Sequence, residues 1–407
     1  MRNDRSIAAR RSPPGRPRWP AHEVLLAVTG MLVIASAYGM ARFGVGLFAP
    51  RLLADRTTLG GVLGWAGAAQ FTSYCLAAAL AARFVDRYPR PVLLLAGTTA
   101  VIGCAGVAWA TNPAVFLAAA TVGGMSGGLA SAALVPIIDG AVAPHRSATV
   151  QSIANSGSAA GLIGAGLIAL LPVGVEVAWL LMALFSGTVA TLCWRASRTR
   201  SGEAALPHDR PAGSARLAIR SALALPGVSA AIAGAGSALV WSFGPLLVTD
   251  AGALDAASTG TLWIAAGVGG LSAILTGKIA ERWGVEGAWC GLAVTTAAAI
   301  MLLGVALTTA SGLLAIAAMI VFGGAYISLT GVLILWARRV APGTAGAATS
   351  ILFIAFTLGQ AAGSALFGLL RGTLGPTPLI VLAAGLCAAG GLIGRAFPST
   401  KSAVPRP

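Results

Sequence analysis

Twelve stretches of this chain are apolar for about the length of a bilayer crossing, and no other feature constrains the fold as much. A hydrocarbon core about 30 Å thick takes ~20 helical residues to cross. The runs are 24–48, 59–82, 91–110, 114–138, 149–171, 175–194, 222–248, 258–280, 287–308, 312–336, 345–370 and 376–397. Basic charge enters them at Arg42 in the first, Lys278 near the end of the eighth and Arg395 near the end of the twelfth. Lipid offers no partners to open backbone groups, so each run is expected to be a helix. The runs do not alternate as barrel strands do. The expectation is an all-α integral membrane protein with twelve transmembrane helices.

Composition removes the main competitors. Apolar residues make up 57% of the chain and charged residues only 10%, against roughly 25% charged in soluble domains. A disordered chain is excluded by the hydrophobicity, and an ordinary soluble enzyme by a surface that could not be solvated. The net charge of +15 would fit nucleic acid or an anionic membrane, and its distribution decides between them. Of 27 basic residues, 23 fall in alternate loops: 1–23, 83–90, 139–148, 195–221, 278–286, 337–344 and the tail from 395. The other loops hold only Arg51, Arg56 and Arg371. Basic loops stay in the cytoplasm, so both termini are expected there. The bilayer is the expected partner and nucleic acid is not.

The basic start, Arg2 to Arg18, precedes an apolar stretch of about 25 residues without a small-residue cleavage site, which reads as a retained span. Residues 195–221 are rich in Gly, Pro, Ser and charge, the composition of a linker. The expected organisation is a basic arm 1–23, a six-helix bundle 24–194, a cytoplasmic linker 195–221, a second six-helix bundle 222–397 and a tail 398–407.

The two bundles look like copies. Asp86-Arg87-Tyr88 follows the second run and Glu281-Arg282-Trp283 follows the eighth, offset by 195. Val142-Ala143-Pro144 follows the fourth and Val340-Ala341-Pro342 the tenth, offset by 198; Ser152, Ile153 and Gly161 then match Ser350, Ile351 and Gly359. Two parallel halves related by an axis along the membrane normal are a known transporter plan.

On these residues the chain resembles the major facilitator superfamily (MFS), whose signature between spans two and three reads Gly-x-Leu-Ala-Asp-Arg-x-Gly-Arg-Arg/Lys. The second copy follows it at Gly277, Ile279, Ala280, Glu281, Arg282 and Gly284; the first keeps Asp86, Arg87 and Arg90, with Ala82 and Pro89 where glycines are expected. Within the superfamily, Gly39-Met-Ala-Arg42-Phe43-Gly44 through Leu47-Phe48-Ala49-Pro50 is similar to the first span of YbfB/YjiJ-like permeases. The resemblance implies the MFS fold with two pseudo-symmetric halves, a monomer, and a central cavity lined by spans one, four, seven and ten. It also implies that Asp86, Arg87, Arg90, Gly277, Glu281, Arg282 and Gly284 form a gate between the halves. Their acids and arginines would pair across the cytoplasmic side in the outward-facing state and part when the halves rock. The bland alternative is solvated loop charge.

Within the spans, Arg42 stands out, because charge at membrane depth is rare and usually functional. It is expected either to meet an anionic or strongly polar substrate group, with Tyr38 on the same face, or to snorkel to the outer headgroups. Neutral polar residues at helical spacing extend the candidate cavity: Gln70 and Tyr74 with Ser73; Gln151 and Asn155 with Ser158; Trp241 with Ser237; Tyr326 with Thr330; and Gln360 with Phe356. Each could equally bond a neighbouring helix. The span-five antiporter pattern implied by the resemblance maps onto Gly157, Gly161 and Gly166, with Leu162 and Ala165 departing from it.

Proton coupling calls for a titratable group at depth, and no Asp, Glu or His lies mid-span; Asp139, at the inner end of the fourth run, is the candidate. No Walker loop, CxxC pair or His cluster occurs, so no ATP-driven pump, metal site, cofactor or enzyme activity is expected. The five cysteines all lie in apolar runs and read as small hydrophobes. The expected function is alternating-access transport of a small organic solute, proton-coupled and outward, in a bacterial inner membrane. A gradient-independent facilitator or uptake permease and a non-transporting receptor or scaffold are the open alternatives.

Overall fold

The computed structural model describes residues 19–197, 213–341 and 345–396. Most of the arm, most of the linker, Pro342 and the tail lie outside the described residues. Those described form helices and no strand.

The first run begins as α1 (Ala21–Ile34), continues through a π-helical turn (Ala35–Arg42) and ends as α2 (Gly44–Asp55). Then come α3 (Leu63–Ala81), α4 (Pro89–Trp109), α5 (Pro113–Ala141), α6 (Pro144–Asn155), α7 (Gly157–Ala169) and α8 (Val175–Ala196). The rest of the chain forms α9 (Gly213–Asp250), α10 (Gly260–Gly270), α11 (Thr276–Thr308), α12 (Gly312–Val340), α13 (Ala345–Leu370) and α14 (Pro376–Arg395). Proline opens α4, α5, α6 and α14 within the first two positions, where its missing N–H costs nothing.

Among the described residues, ten segments are long and apolar enough to cross a membrane, against the expected twelve. Two physical features account for the difference. Gly260–Thr308 counts as one segment of 49 residues, which as a straight helix would reach about 70 Å, more than twice a bilayer core. Gly284 interrupts it at φ 73°, ψ 167°, in the left-handed half of backbone space that only glycine enters cheaply. The other feature is α3, whose 19 residues include Gln70, Thr72, Ser73 and Tyr74 and which is not among the ten.

The helices gather into two groups. Helices α1 to α8 pack among themselves, chiefly α4 on α5, α3 on α5 and α4 on α8; α9 to α14 do likewise, chiefly α9 on α13, α11 on α12 and α11 on α14. The groups meet along three lines: α3 on α13, α7 on α10 and α2 on α9. The first two lines exchange under the internal repeat, since α3 and α10 come from equivalent runs, as do α7 and α13.

Contact between the groups is tightest at the end away from the start of α1, here called the far end. A Cβ added at Gly64 would lie 2.7 Å from the Gly368 Cα, one at Gly46 would collide with the Trp241 carbonyl oxygen, and one at Gly166 would lie 2.5 Å from that of Gly260. Toward the opposite, termini end the facing elements present exposed residues: Ser152, Asn155 and Ser156 on one side, Leu271, Ile274 and Leu275 on the other. Close approach continues to Gly267, where an added Cβ would lie 2.7 Å from the Ala159 carbonyl oxygen, so the groups are in contact from the far end to that level.

The arginines on the far side are structural clips. Arg56 donates to the carbonyls of Val107 (3.0 Å), Ala108 (2.7 Å) and Ala110 (2.8 Å) at the end of α4, and pairs with Glu176 at 2.7 Å. Arg51 donates to Ala169 (2.9 Å) and Val173 beyond the end of α7. Arginine near a helix C-terminus satisfies orphan carbonyls and the helix dipole. Arg56→Ala is therefore expected to destabilise the protein by about 1.5–3 kcal/mol, the range for hydrogen bonds to a charged group. Thermal unfolding in detergent measures this, and an unchanged midpoint would contradict the clip.

Candidate functional site

At mid-depth the π-helical turn carries Arg42 into the contact between the two groups. The turn is closed by the Phe43 amide donating to the Tyr38 carbonyl at 3.1 Å, a five-residue register that is rare and recurs at functional sites. It lies backbone-on-backbone against α7: a Cβ on Gly39 would collide with the Gly161 carbonyl carbon. Glycine at both positions permits this approach.

Arg42 is only 5% exposed, so it does not reach headgroups. Its Nη2 donates to Gln360 Oε1 at 2.9 Å and to Thr357 Oγ1 at 3.3 Å, both on α13 in the other group. Four rings surround the guanidinium carbon, with centroids at 4.4 Å (Tyr74), 5.0 Å (Phe71), 5.2 Å (Phe43) and 5.3 Å (Tyr38). Such cation–π contacts are worth ~0.5–2 kcal/mol each depending on desolvation. The Nε is buried without a hydrogen-bond partner. No carboxylate joins the cluster: the ion pairs among the described residues are Arg56–Glu176, Arg146–Glu23, Arg339–Glu286 and Arg371–Asp250.

Further polar contacts run outward from Arg42. Gln360 Nε2 donates to the Tyr326 hydroxyl at 2.8 Å and approaches Ser237 Oγ at 3.5 Å, which fixes the amide orientation. The Tyr38 hydroxyl shares hydrogen bonds with those of Tyr74 and Ser131, each at 2.8 Å. Gln70 Nε2 holds the π turn by donating to the Ala41 carbonyl at 2.9 Å. Trp241 stacks on Phe43 at 4.2 Å and meets Tyr326 edge-on at 4.9 Å. A void of about 10 Å³ adjoins Arg42, lined also by Gly46, Gly67, Gln70, Trp241 and Ser242.

Seven of the ten cavity candidates, Tyr38, Arg42, Gln70, Tyr74, Trp241, Tyr326 and Gln360, thus come together. Three lie outside this cluster. Gln151 donates to Asn155 at 3.3 Å beside the break between α6 and α7, where Asn155 is exposed. Thr330 bonds back to the Ile327 carbonyl at 2.7 Å. Phe71, Ser131 and Thr357 join the site although their place in the sequence does not single them out. For Thr357 the available signal is its position three residues before Gln360, one helical turn away on the same face.

The gate residues stand apart in this structure. Asp86, Arg87, Glu281 and Arg282 are exposed and belong to none of the ion pairs above. Arg87 lies over the Tyr88 ring and Arg90 over Trp194, within their own group. Gly277 has open space around it, while Gly284 makes the positive-φ break. The expected pairing is not among the ion pairs of the described residues. Asp139 is exposed on the last turn of α5, accepting a hydrogen bond from Ser147 away from the Arg42 cluster.

This arrangement of helices has counterparts among solved structures. A D-xylose–proton symporter superposes with a TM-score of 0.73 at 17% identity, over 92% of this chain and 97% of that one. The nucleoside transporter NupG gives 0.70 at 13% identity, over 93% and 99%. A bacterial homologue of the human lysosomal transporter Spinster, inward-facing and unoccupied, gives 0.69 at 14%, over 93% and 95%. At these identities the likeness concerns the fold. Comparison with curated protein sequences gives no match. The sequence pattern of the Major Facilitator Superfamily matches residues 31–364, most of the chain and all of the Arg42 cluster. The chain belongs to the Major Facilitator Superfamily.

Proposed function

We propose that this membrane transporter is a twelve-helix, alternating-access carrier of a small organic solute, with its substrate site at the Arg42 cluster. One observation carries this reading: a buried cation and a polar network bridge the two groups at mid-depth; we read the exposed residues at the termini end as the parted side of a carrier closed at the far end. The twelve helices are the ten apolar segments with Gly260–Thr308 divided at Gly284 and α3 added. They form two bundles, 24–194 and 222–397, acting as a monomer. The basic loops put both termini in the cytoplasm, and the Ala-, Gly- and Arg-rich composition fits a bacterial inner membrane. The parted end then faces the cytoplasm. The gate residues Asp86, Arg87, Glu281 and Arg282 would pair when that end closes.

Among the described residues no carboxylate reaches Arg42, and Asp139 lies at the membrane edge. We infer that the solute runs down its own gradient, in the direction that gradient sets. Counterflow in proteoliposomes tests this, with a radiolabelled sugar (xylose), a nucleoside, a dipeptide and a monocarboxylate as probes. Exchange of at least one probe is expected, at a rate unchanged by collapsing the pH gradient. Flux that requires the gradient would establish proton-coupled transport instead. No exchange of any probe would favour a receptor or scaffold.

A further inference from the structure

Arg42 is more than nine-tenths buried without an acid beside it, and its surroundings indicate what it waits for. Buried charges in proteins are normally paired, because desolvating an ion costs more than neutral contacts return. Here the compensation is one amide oxygen, one hydroxyl and four ring faces. These replace hydration in part and supply no opposing charge. Its Nε remains unused.

We propose that the site takes an organic monocarboxylate with an apolar or aromatic body, whose carboxylate is the missing counter-ion of Arg42. This deepens the transporter reading above and rests on it. A carboxylate matches the planar guanidinium fork. One charge is selected over two, because a dianion on a single guanidinium would bury a net negative charge. The apolar body follows from the walls: Phe43, Phe71, Trp241 and Phe356 are all buried around the cluster, and solute sites are largely apolar with a few orienting polar groups.

The void beside Arg42 is about 10 Å³, room for roughly one water. The ligand therefore does not add to this arrangement but replaces part of it. Its oxygens take the hydrogen bonds that Arg42 now gives to Gln360 and Thr357. Those bonds tie the π turn to α13 across the two groups, so anion binding releases a mid-depth link between them. Substrate charge and the freedom to rock are thereby coupled through one guanidinium.

The test uses purified full-length protein and thermal-shift titration at constant ionic strength. The probes are acetate, benzoate, cyclohexanecarboxylate, succinate, inorganic phosphate and the neutral isostere benzamide. Benzoate or cyclohexanecarboxylate is expected to raise the unfolding midpoint saturably, and benzamide, succinate and phosphate are not. Arg42→Gln should weaken the monocarboxylate response at least tenfold. Gln360→Ala, which removes the competitor and keeps the charge, should strengthen it, and a cooperative unfolding transition of ligand-free Arg42→Gln guards against a folding defect in that variant. The proposal is overturned if no monocarboxylate outperforms benzamide, if succinate or phosphate binds as well, if Arg42→Gln responds like the wild type, or if Gln360→Ala does not strengthen the response. Arg42-dependent binding without counterflow of benzoate or any other probe would sink the transport reading and leave the anion site standing. Counterflow of a neutral probe without carboxylate binding would do the reverse.

Discussion

A protein carrying Gly67→Cys and Ser364→Cys together is expected to lose transport on oxidation and regain it on reduction. A Cβ on Gly67 lies 3.2 Å from the Ser364 Cβ, a few tenths of an ångström short of the ~3.5–4.5 Å range of disulfides. The bond would join α3 to α13 on the closed side. The five native cysteines are buried free thiols, and replacing them by Ala gives a clean background. If the far end must open in each cycle, the oxidised protein carries solute at least tenfold more slowly in counterflow. Equal rates in both redox states would show that the closed side is not a moving part. The mechanical reason is local: the Ser364 hydroxyl already donates to the Gly64 carbonyl at 3.0 Å, so the engineered bond makes permanent an approach that is now only hydrogen-bonded.

The second large effect separates function from stability. Arg42→Met is expected to cut transport by about ten- to a hundredfold or more, since hydrogen bonds to a charged group are worth about 1.5–3 kcal/mol. Its effect on stability should stay within about 2 kcal/mol of zero. Removing one member of a buried ion pair is costly because the partner is stranded, but Arg42 strands no acid. The losses are the amide oxygen left unsatisfied on Gln360, about 1–3 kcal/mol, the bond to Thr357 and the four ring contacts, and relief from burying a cation without a counter-ion offsets them. Thermal unfolding and counterflow on the same preparation measure the two effects. A collapse of stability alongside activity would make Arg42 a structural post.

The fold was legible because a bilayer leaves a chain few options. Runs near twenty residues and the alternation of basic loops follow from the solvent, and the Asp86/Glu281 repeat from the likeness of the two halves; none depends on tertiary detail. Departures arose where detail takes over. Helix α2 continues through Asp55, and Arg51 and Arg56 bond carbonyls of neighbouring helices, contacts the charge pattern does not reveal. The fifth run splits at Ser156 between α6 and α7, and the eighth at a 3₁₀ turn, Leu271–Leu275.

The site was half legible. Arg42 announced itself as a charge at depth. Its aromatic box and the π register that aims it depend on how helices rotate against one another, which the 3.6-residue period does not fix. Gln360 and Asn155 look alike as polar residues in apolar runs. Depth and rotation separate them: one is fully buried on Arg42, the other exposed at a helix break. The gate residues Asp86, Arg87, Glu281 and Arg282 are exposed and belong to none of the ion pairs among the described residues.

The most direct measurement of rocking about Arg42 is a pair of electron-spin distances in lipid nanodiscs. One pair of labels goes on Ser152 and Ile274, exposed across the parted end, and a second on Leu171 and Asp255, exposed at the far end. Two populations are expected for each pair, with the far-end distance growing as the termini-end distance shrinks. Oxidising the protein that carries Gly67→Cys and Ser364→Cys should leave only the parted termini-end population. A single distance at each end, unmoved by solute and by the cross-link, would contradict alternating access.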